Sequence, residues 1–263
     1  MIPKIVHYCW FGGNEKPDLF DRCWKSWQEH LPEYRFIEWN EDSFDVDQLE
    51  YTSEAYSKGK FAFVSDYVRL YALKKYGGIY LDTDVEVLRP LDDLLNDPLF
   101  LGYENANGVN PGLIMGCIKN HPFLDELMDY YKLHHFVVDG CLNTYTTVNN
   151  ATDRLIEHGL VLNPDETVYV DGMKIYAKSY FCPDAETRRS GNYGPKTYTA
   201  HHYSATWRDE AYNARLANPG FVAFLRLCNL LSTCAKKLLG EKAWVNLRNG
   251  RLRRIYDFTR GVK

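Results

Sequence analysis

Between residues 61 and 76 apolar positions recur as Phe61, Val64, Val68 and Tyr71, with no Gly or Pro to interrupt them. That spacing keeps one side of a helix apolar and predicts a helix over 61–76. Gly77 and Gly78 end it, because glycine adopts the left-handed backbone that a helix terminus often needs. Ile79, Tyr80 and Leu81 make a short apolar run, as expected of a buried strand, and Asp82-Thr83-Asp84 follows at once. Residues 85–88 are predicted to extend this strand until Pro90, which has no N–H to give to a ladder. The rest of the chain is organised around this helix, turn and strand.

The same reading places a first strand at 4–10, with Gly12-Gly13 as the turn after it, and a helix at 16–30 whose Trp24 and Trp27 are core residues. A second strand is predicted at 34–39, and a polar loop with a short helix at 41–51. Further strands follow at 99–102 and 112–118, joined by a loop rich in Asn and Gly. Helices are predicted at 121–135, with Pro122 in its first turn, and within 144–159. Asp171-Gly172 joins two β-rich runs across 167–180 and predicts a hairpin. The polar segment 182–195 reads as a loop, one suited to close over a site when substrate binds. Strands alternating with helices predict an α/β domain with a mixed sheet.

Composition sharpens this picture in three places. The 263 residues are 45% hydrophobic and include 20 Tyr and 6 Trp, enough for a sizeable core and for rings that stack on sugars or bases. The net charge of −4 is unevenly spread: residues 221–263 carry 10 of the 31 Lys/Arg and only 2 of the 35 Asp/Glu. An acidic body with a basic, aromatic tail predicts a second segment, 218–263, beside a main domain at 1–217. The tail is either a helical pair packed on the domain or an amphipathic helix at an anionic membrane surface. No nucleic-acid motif accompanies the basic residues. The seven cysteines form no C-x-x-C pair, which argues against a disulfide framework or a cysteine zinc site. With no signal-peptide pattern and no apolar run of ~18 residues, the expectation is a cytoplasmic protein, placed at the inner face of the cell membrane if the tail binds lipid.

The chemistry concentrates in two stretches. Asp82 and Asp84, one residue apart after a buried strand, are costly unless something positive lies between them. A divalent cation with a diphosphate is the simplest such partner. Asp66 and Arg69, three apart on the preceding helix, share a face and bring an acid and a base towards the same place. Taken alone, the Asp pair fits a solvated loop and the Asp66–Arg69 pair a surface ion pair. The order SDYVR, helix, YGGIYLDTD is what raises them to a site. The second stretch is TAHHYSATW, residues 199–207. Adjacent His201 and His202 point to opposite faces of a strand, so one of them at most aims into a site.

The run SDYVR to YLDTD resembles the sugar-binding region of the glycosyltransferase family with the DXD motif, family 32, which contains fungal mannosyltransferases and bacterial capsular-polysaccharide transferases. It is also similar to the glucosyltransferase domains of clostridial toxins. The resemblance covers residues 1–210 and is densest at 4–13, 60–88 and 200–207. It implies the GT-A nucleotide-sugar transferase fold and retaining, metal-dependent transfer from a nucleoside diphosphate sugar, a UDP-sugar being favoured. The acceptor implied is a glycan or lipid-linked glycan in capsular or cell-surface polysaccharide synthesis. Asp84 would bind Mn²⁺ or Mg²⁺ directly, and Asp82 through water or by holding ribose and sugar. His202 would be the third ligand, with His201 the alternative; an imidazole favours Mn²⁺. Asp66 and Arg69 would grip the transferred sugar, and Ser204 and Trp207 would reach the donor phosphates. Trp10, in the spacing His7, Trp10, Gly12, Gly13, would stack on the base, although a Trp by itself reads as core. Asn110 would touch a sugar, although it equally fits a turn. Two rival classes remain: a metal-dependent phosphohydrolase or nucleotidyltransferase, and a non-catalytic sugar-nucleotide-binding protein.

Overall fold

The computed structural model describes residues 1–138 and 140–203, with isolated positions between 218 and 238. Ser204, Trp207 and nearly all of the basic segment 218–263 lie outside the described residues. The chain divides into two units, Met1–Val137 with Tyr145–Ser204, and Val138–Thr144 with Ala205–Lys263. The main sheet and the site described below lie in the first. Among the described residues no helix is long and apolar enough to cross a membrane.

The chain opens with β1 (Ile5–Cys9), α1 (Asp18–His30), β2 (Arg35–Trp39), α2 (Glu50–Ser57) and α3 (Phe61–Tyr76). It continues through β3 (Gly78–Tyr80), β4 (Val85–Val87), β5 (Leu99–Asn105), β6 (Gly108–Val109), β7 (Met115–Cys117) and α4 (Pro122–Leu133). Then come β8 (Val137–Val138), β9 (Cys141–Leu142), α5 (Thr147–Glu157), β10 (Val168–Val170), β11 (Met173–Tyr176), α6 (Ala185–Ser190) and β12 (Thr199–His201). The main sheet runs β10-β11-β5-β7-β3-β1-β2, with β6 added to β5. β2, β1 and β3 are parallel, β7 is antiparallel to both β3 and β5, and β11 is parallel to β5. This is the mixed α/β sheet that the alternation of elements predicts.

Several expectations hold in detail. The helix ends at Tyr76, and Gly77 and Gly78 both take positive φ, 67° and 109°. The pair has a steric role as well: a Cβ on Gly78 would lie 2.6 Å from the Ile5 carbonyl, and one on Gly77 2.7 Å from the Lys119 nitrogen. Asp171 and Gly172, at φ 47° and 78°, make the hairpin turn between β10 and β11. Three expectations are corrected. The segment 182–195 is not all loop: Asp184 accepts from the Thr187 N–H and Gly191 closes the far end at φ 68°, so α6 forms between two good caps. At 112–118 only Met115–Cys117 pairs as a strand, because the chain at Gly112 is held against the Asp82 segment instead.

The third correction shapes the site. Residues 85–88 do not extend β3. The chain turns at Asp82-Thr83-Asp84, where the Val85 N–H reaches the Asp82 carbonyl at 3.1 Å, and leaves the main sheet. β4 then pairs antiparallel with β12, with Val85 opposite His201 and Glu86 opposite Ala200. Helix α1 fastens this ribbon. Trp27 Nε1 donates to the Val85 carbonyl at 2.7 Å, Ser26 Oγ accepts from the Val87 N–H at 2.9 Å, and Arg22 makes a two-point contact with Glu86. Trp27 is fully buried among Tyr8, Phe20, Trp24 and Phe36, so the ribbon carrying Asp84 is fixed to the main core.

Behind β3, His7 is buried with both ring nitrogens engaged. Nε2 lies 2.9 Å from the Gly77 carbonyl and Nδ1 3.1 Å from Trp39 Nε1. Indole can only donate, so His7 is neutral with its proton on Nε2. Burial pulls its pKa down to about 4; the Gly77 bond opposes this and Arg35 adds to it. Above the unfolded value of about 6.5 this costs nothing. As pH falls from there towards 4, the unfolded chain takes a proton that the fold refuses, and stability drops by roughly 3 kcal/mol at ~1.4 kcal/mol per pH unit. Urea midpoints of wild type and His7→Phe at pH 7 and pH 4.5 measure this. The stability advantage of wild type is expected to shrink at the lower pH, and a constant difference would refute it.

Candidate functional site

Because β1, β2 and β3 are parallel, their C-terminal ends share one edge of the sheet, the edge where open α/β sheets bind ligands. Asp82 follows β3 there, held by its N–H to the Gly112 carbonyl at 2.9 Å. Asp84 lies two residues on, at the start of the ribbon. Pairing of β4 with β12 sets His201 beside it, with Nε2 3.0 Å from Asp84 Oδ1. Asp82, Asp84 and His201 offer ligand atoms that all lie within 4.8 Å of one another, the one such group among the described residues.

This corrects the preference for His202. Strand alternation turns His202 to the other side, where Nε2 meets Glu86 at 2.8 Å. With Arg22 on the same carboxylate, His202 belongs to a hydrogen-bonded group that clamps α1 to the ribbon. The adjacent histidines thus divide the work: His201 faces the aspartates and His202 braces the strand.

On the preceding helix, Arg69 is buried between Asp66 at 3.1 Å and Asp82 at 3.4 Å. Its guanidinium lies 4.6 Å from the centre of the Tyr80 ring, and the Tyr80 hydroxyl donates to Asp82 at 3.0 Å. Burial opposes the charge on Arg69, but Asp82, Tyr80 and Asp66 outweigh it and raise its pKa. Burial lifts the pKa of Asp66 to about 6 against the opposing pull of Arg69 and of the Thr147 N–H, 3.1 Å away at the start of α5. For His201, burial favours the neutral ring, but the bond to Asp84 and its charge outweigh this and raise the pKa. Gly112 closes the cluster: a Cβ there would fall 2.2 Å from Asp82 Oδ2 and 2.3 Å from an Arg69 nitrogen, so no side chain fits.

Asn110 is buried in the loop that delivers Gly112, its Oδ1 accepting from the Gly112 N–H at 2.7 Å. Trp10 is half-buried and donates to the Asn14 carbonyl at 2.7 Å. It lines a groove of about 440 Å³ with Gly12, Asn40, Glu41 and Tyr56. Sequence reasoning overlooked Tyr80, Gly112 and Thr147. Tyr80 and Thr147 carry no local signal, and Gly112 shows only as one more glycine after a proline.

The donor set suits a hard divalent cation: two carboxylates and one imidazole. His201 Nδ1 is buried and finds no hydrogen-bond partner among the described residues. A buried ring nitrogen left unpaired beside two acids calls for a functional explanation.

Residues 17–101, which include the Asp66–Arg69 helix and both aspartates, match the family described as "Glycosyltransferase sugar-binding region containing DXD motif". Over this region, about a third of its length, the chain is similar to the DXD glycosyltransferases. Among curated proteins, inositol phosphoceramide mannosyltransferase 3 of Schizosaccharomyces pombe is 35% identical over 135 residues, 48% of this chain and 36% of that protein. Mannosyl phosphorylinositol ceramide synthase CSH1 of Saccharomyces cerevisiae is 27% identical over 162 residues, 59% of this chain and 41% of that protein. Human alpha-1,4-N-acetylglucosaminyltransferase is 39% identical over 71 residues, covering 27% and 19%. The chain spans well under half the length of these curated relatives. Among solved structures, a glycosyltransferase involved in glycosylation of the major capsid of PBCV-1 aligns at 12% identity and TM-score 0.47, over 78% of this chain and 95% of that one. The Asp-x-Asp of the matched region is Asp82-Thr83-Asp84, and the fold brings His201 to it from outside that region.

Proposed function

We propose that the protein transfers a hexosyl group from a nucleoside diphosphate sugar to a hydroxyl of a glycan or lipid-linked glycan acceptor, with retention and with a divalent metal. The observation that carries this reading is the convergence of Asp82, Asp84 and His201 beside the buried Asp66–Arg69 pair, at the ligand-binding edge of the sheet. Asp84 and His201 would hold Mn²⁺ or Mg²⁺, with Asp82 as a direct ligand or one acting through water. The cation would supply positive charge to the leaving diphosphate. Asp66 and Arg69, fixed by each other and by Thr147, would hold and orient the sugar hydroxyls. Trp10 would stack on the base, and Asn110, Ser204 and Trp207 are proposed as donor contacts. In the transfer the acceptor oxygen bonds to the anomeric carbon, the bond from that carbon to the diphosphate breaks, and the acceptor's proton passes to the leaving phosphate.

The relatives' names put mannose first among the sugars to test. A UDP-sugar remains the favoured donor from Trp10, which lines the groove beside the Gly12-Gly13 turn. Participation in capsular or cell-surface polysaccharide synthesis, at a membrane reached through the basic segment 221–263, belongs to the same proposal.

The deciding experiment incubates the purified protein with UDP- and GDP-sugars, with Mn²⁺ or with EDTA, and assays released nucleoside diphosphate. Metal-dependent release from one donor is expected. Nucleoside monophosphate or inorganic phosphate would instead establish the phosphohydrolase or nucleotidyltransferase reading. Binding without turnover, even with glycan acceptors supplied, would establish a binding protein. The two histidines give a sharper check. Calorimetry is expected to show Mn²⁺ affinity about 100-fold weaker in His201→Ala and within about threefold of wild type in His202→Ala. Equal losses in the two variants would refute the division of roles.

A further inference from the structure

Beyond the ligand group, His201 has a neighbour that the motif does not explain. Tyr203 lies two residues on with φ 54°, a left-handed backbone that an aromatic residue rarely adopts. This conformation folds its ring back onto the His201 imidazole, centroid to centroid 4.2 Å at 40°. The Tyr203 hydroxyl meets Cys182 Sγ at 2.7 Å, and Cys182 Sγ also donates to the Glu104 carbonyl at 3.4 Å. The Arg188 guanidinium, from α6, stands 5.1 Å from the centre of the Tyr203 ring. The ring therefore links the end of β12 to β5 and to the capped helix α6. Cys182 is a poor candidate for a reactive thiol, because burial raises its pKa and it is already engaged. What it can do is fix an aromatic ring.

We infer that Tyr203, anchored by Cys182 and Arg188, is a positioning residue that sets the orientation of the His201 ring towards the Asp82–Asp84 pair. The inference rests on the metal-site reading above. Nε2 of His201 faces Asp84 while Nδ1 is left without a hydrogen bond among the described residues, so no polar contact on the Nδ1 side fixes the ring angle. Metal-ligating histidines are usually oriented through their second nitrogen. Here the packed ring of Tyr203 performs that task in place of a hydrogen bond at Nδ1.

The test measures Mn²⁺ affinity by calorimetry together with the melting temperature. Tyr203→Leu fills similar space without a ring and is expected to weaken Mn²⁺ binding by about 10-fold. Tyr203→Phe keeps the ring and loses only the contact with sulfur. It is expected to restore affinity to within about threefold of wild type. Cys182→Ala removes the same contact from the other side, so the double variant Tyr203→Phe, Cys182→Ala is expected to bind no more weakly than either single one. A merely structural role would lower the melting temperature and leave the Mn²⁺ affinity unmoved. Tyr203→Leu binding Mn²⁺ as wild type does, while Asp84→Asn has lost it, overturns the inference alone. If Tyr203→Leu does not fold, additive losses in the Phe and Ala pair overturn it. Wild type and Asp84→Asn both failing to bind Mn²⁺ overturns the metal-site reading, and the inference with it.

Discussion

Replacing Asp84 by Ala is expected to abolish metal-dependent release of nucleoside diphosphate, a loss on the order of 10³-fold, with a melting temperature within a few degrees of wild type. Asp84 is the member of the group that touches both halves of the site: it shares the turn with Asp82 and meets His201 Nε2 at 3.0 Å. Removing its carboxylate would take one anionic ligand of the proposed metal site and also the partner of the imidazole. The fold does not depend on that side chain in the same way. The Asp84 carbonyl accepts from the His202 N–H at 3.0 Å, and the ribbon is held by Trp27, Ser26 and Arg22. Asp84→Asn keeps the shape and removes the charge, and should lose activity almost as fully. Steady-state release of nucleoside diphosphate with saturating Mn²⁺, set beside a thermal melt, measures both halves of the expectation. Turnover near the wild-type rate in either variant would sink the assignment of Asp84 to the metal.

The largest loss of stability is expected far from the motif in sequence, at Trp27. Trp27→Ala should cost about 3–5 kcal/mol, the range for emptying a fully buried aromatic site. Trp27 is the central ring of a cluster with Tyr8, Phe20, Trp24 and Phe36. Its indole N–H also satisfies the Val85 carbonyl, the residue directly after Asp84. Truncation therefore leaves a cavity and an unpaired buried carbonyl together. Trp27→Phe keeps most of the packing and loses the bond, and should cost about 1–2 kcal/mol. Because this bond fixes the start of β4, the Phe variant should also weaken Mn²⁺ binding while most of the protein stays folded. Urea denaturation of both variants, with calorimetry on the folded fraction, tests the two effects separately. A loss below about 1 kcal/mol in Trp27→Ala would mean that the ribbon is not anchored there.

The elements whose causes are local are legible in the amino-acid order. The apolar face of 61–76 and the glycine pair after it define α3 and its end, because helix periodicity and positive φ are decided by neighbouring residues. Asp171-Gly172 specifies its hairpin in the same way, and the aspartate pair after a buried apolar run marks the motif before any fold is known. Which partners meet that motif is set by contacts between distant segments. The turn at Asp82-Thr83-Asp84 takes β4 out of the main sheet to pair with residues more than a hundred positions away, and the register of that pairing turns His201 inward and His202 towards Glu86. A one-residue shift would exchange the two histidines, and nothing in their local sequence sets the register. Gly112 against Asp82 and Arg69, and Trp27 under Val85, are likewise contacts between distant segments. Their specificity comes from close packing of particular surfaces, which composition and spacing along the chain do not encode.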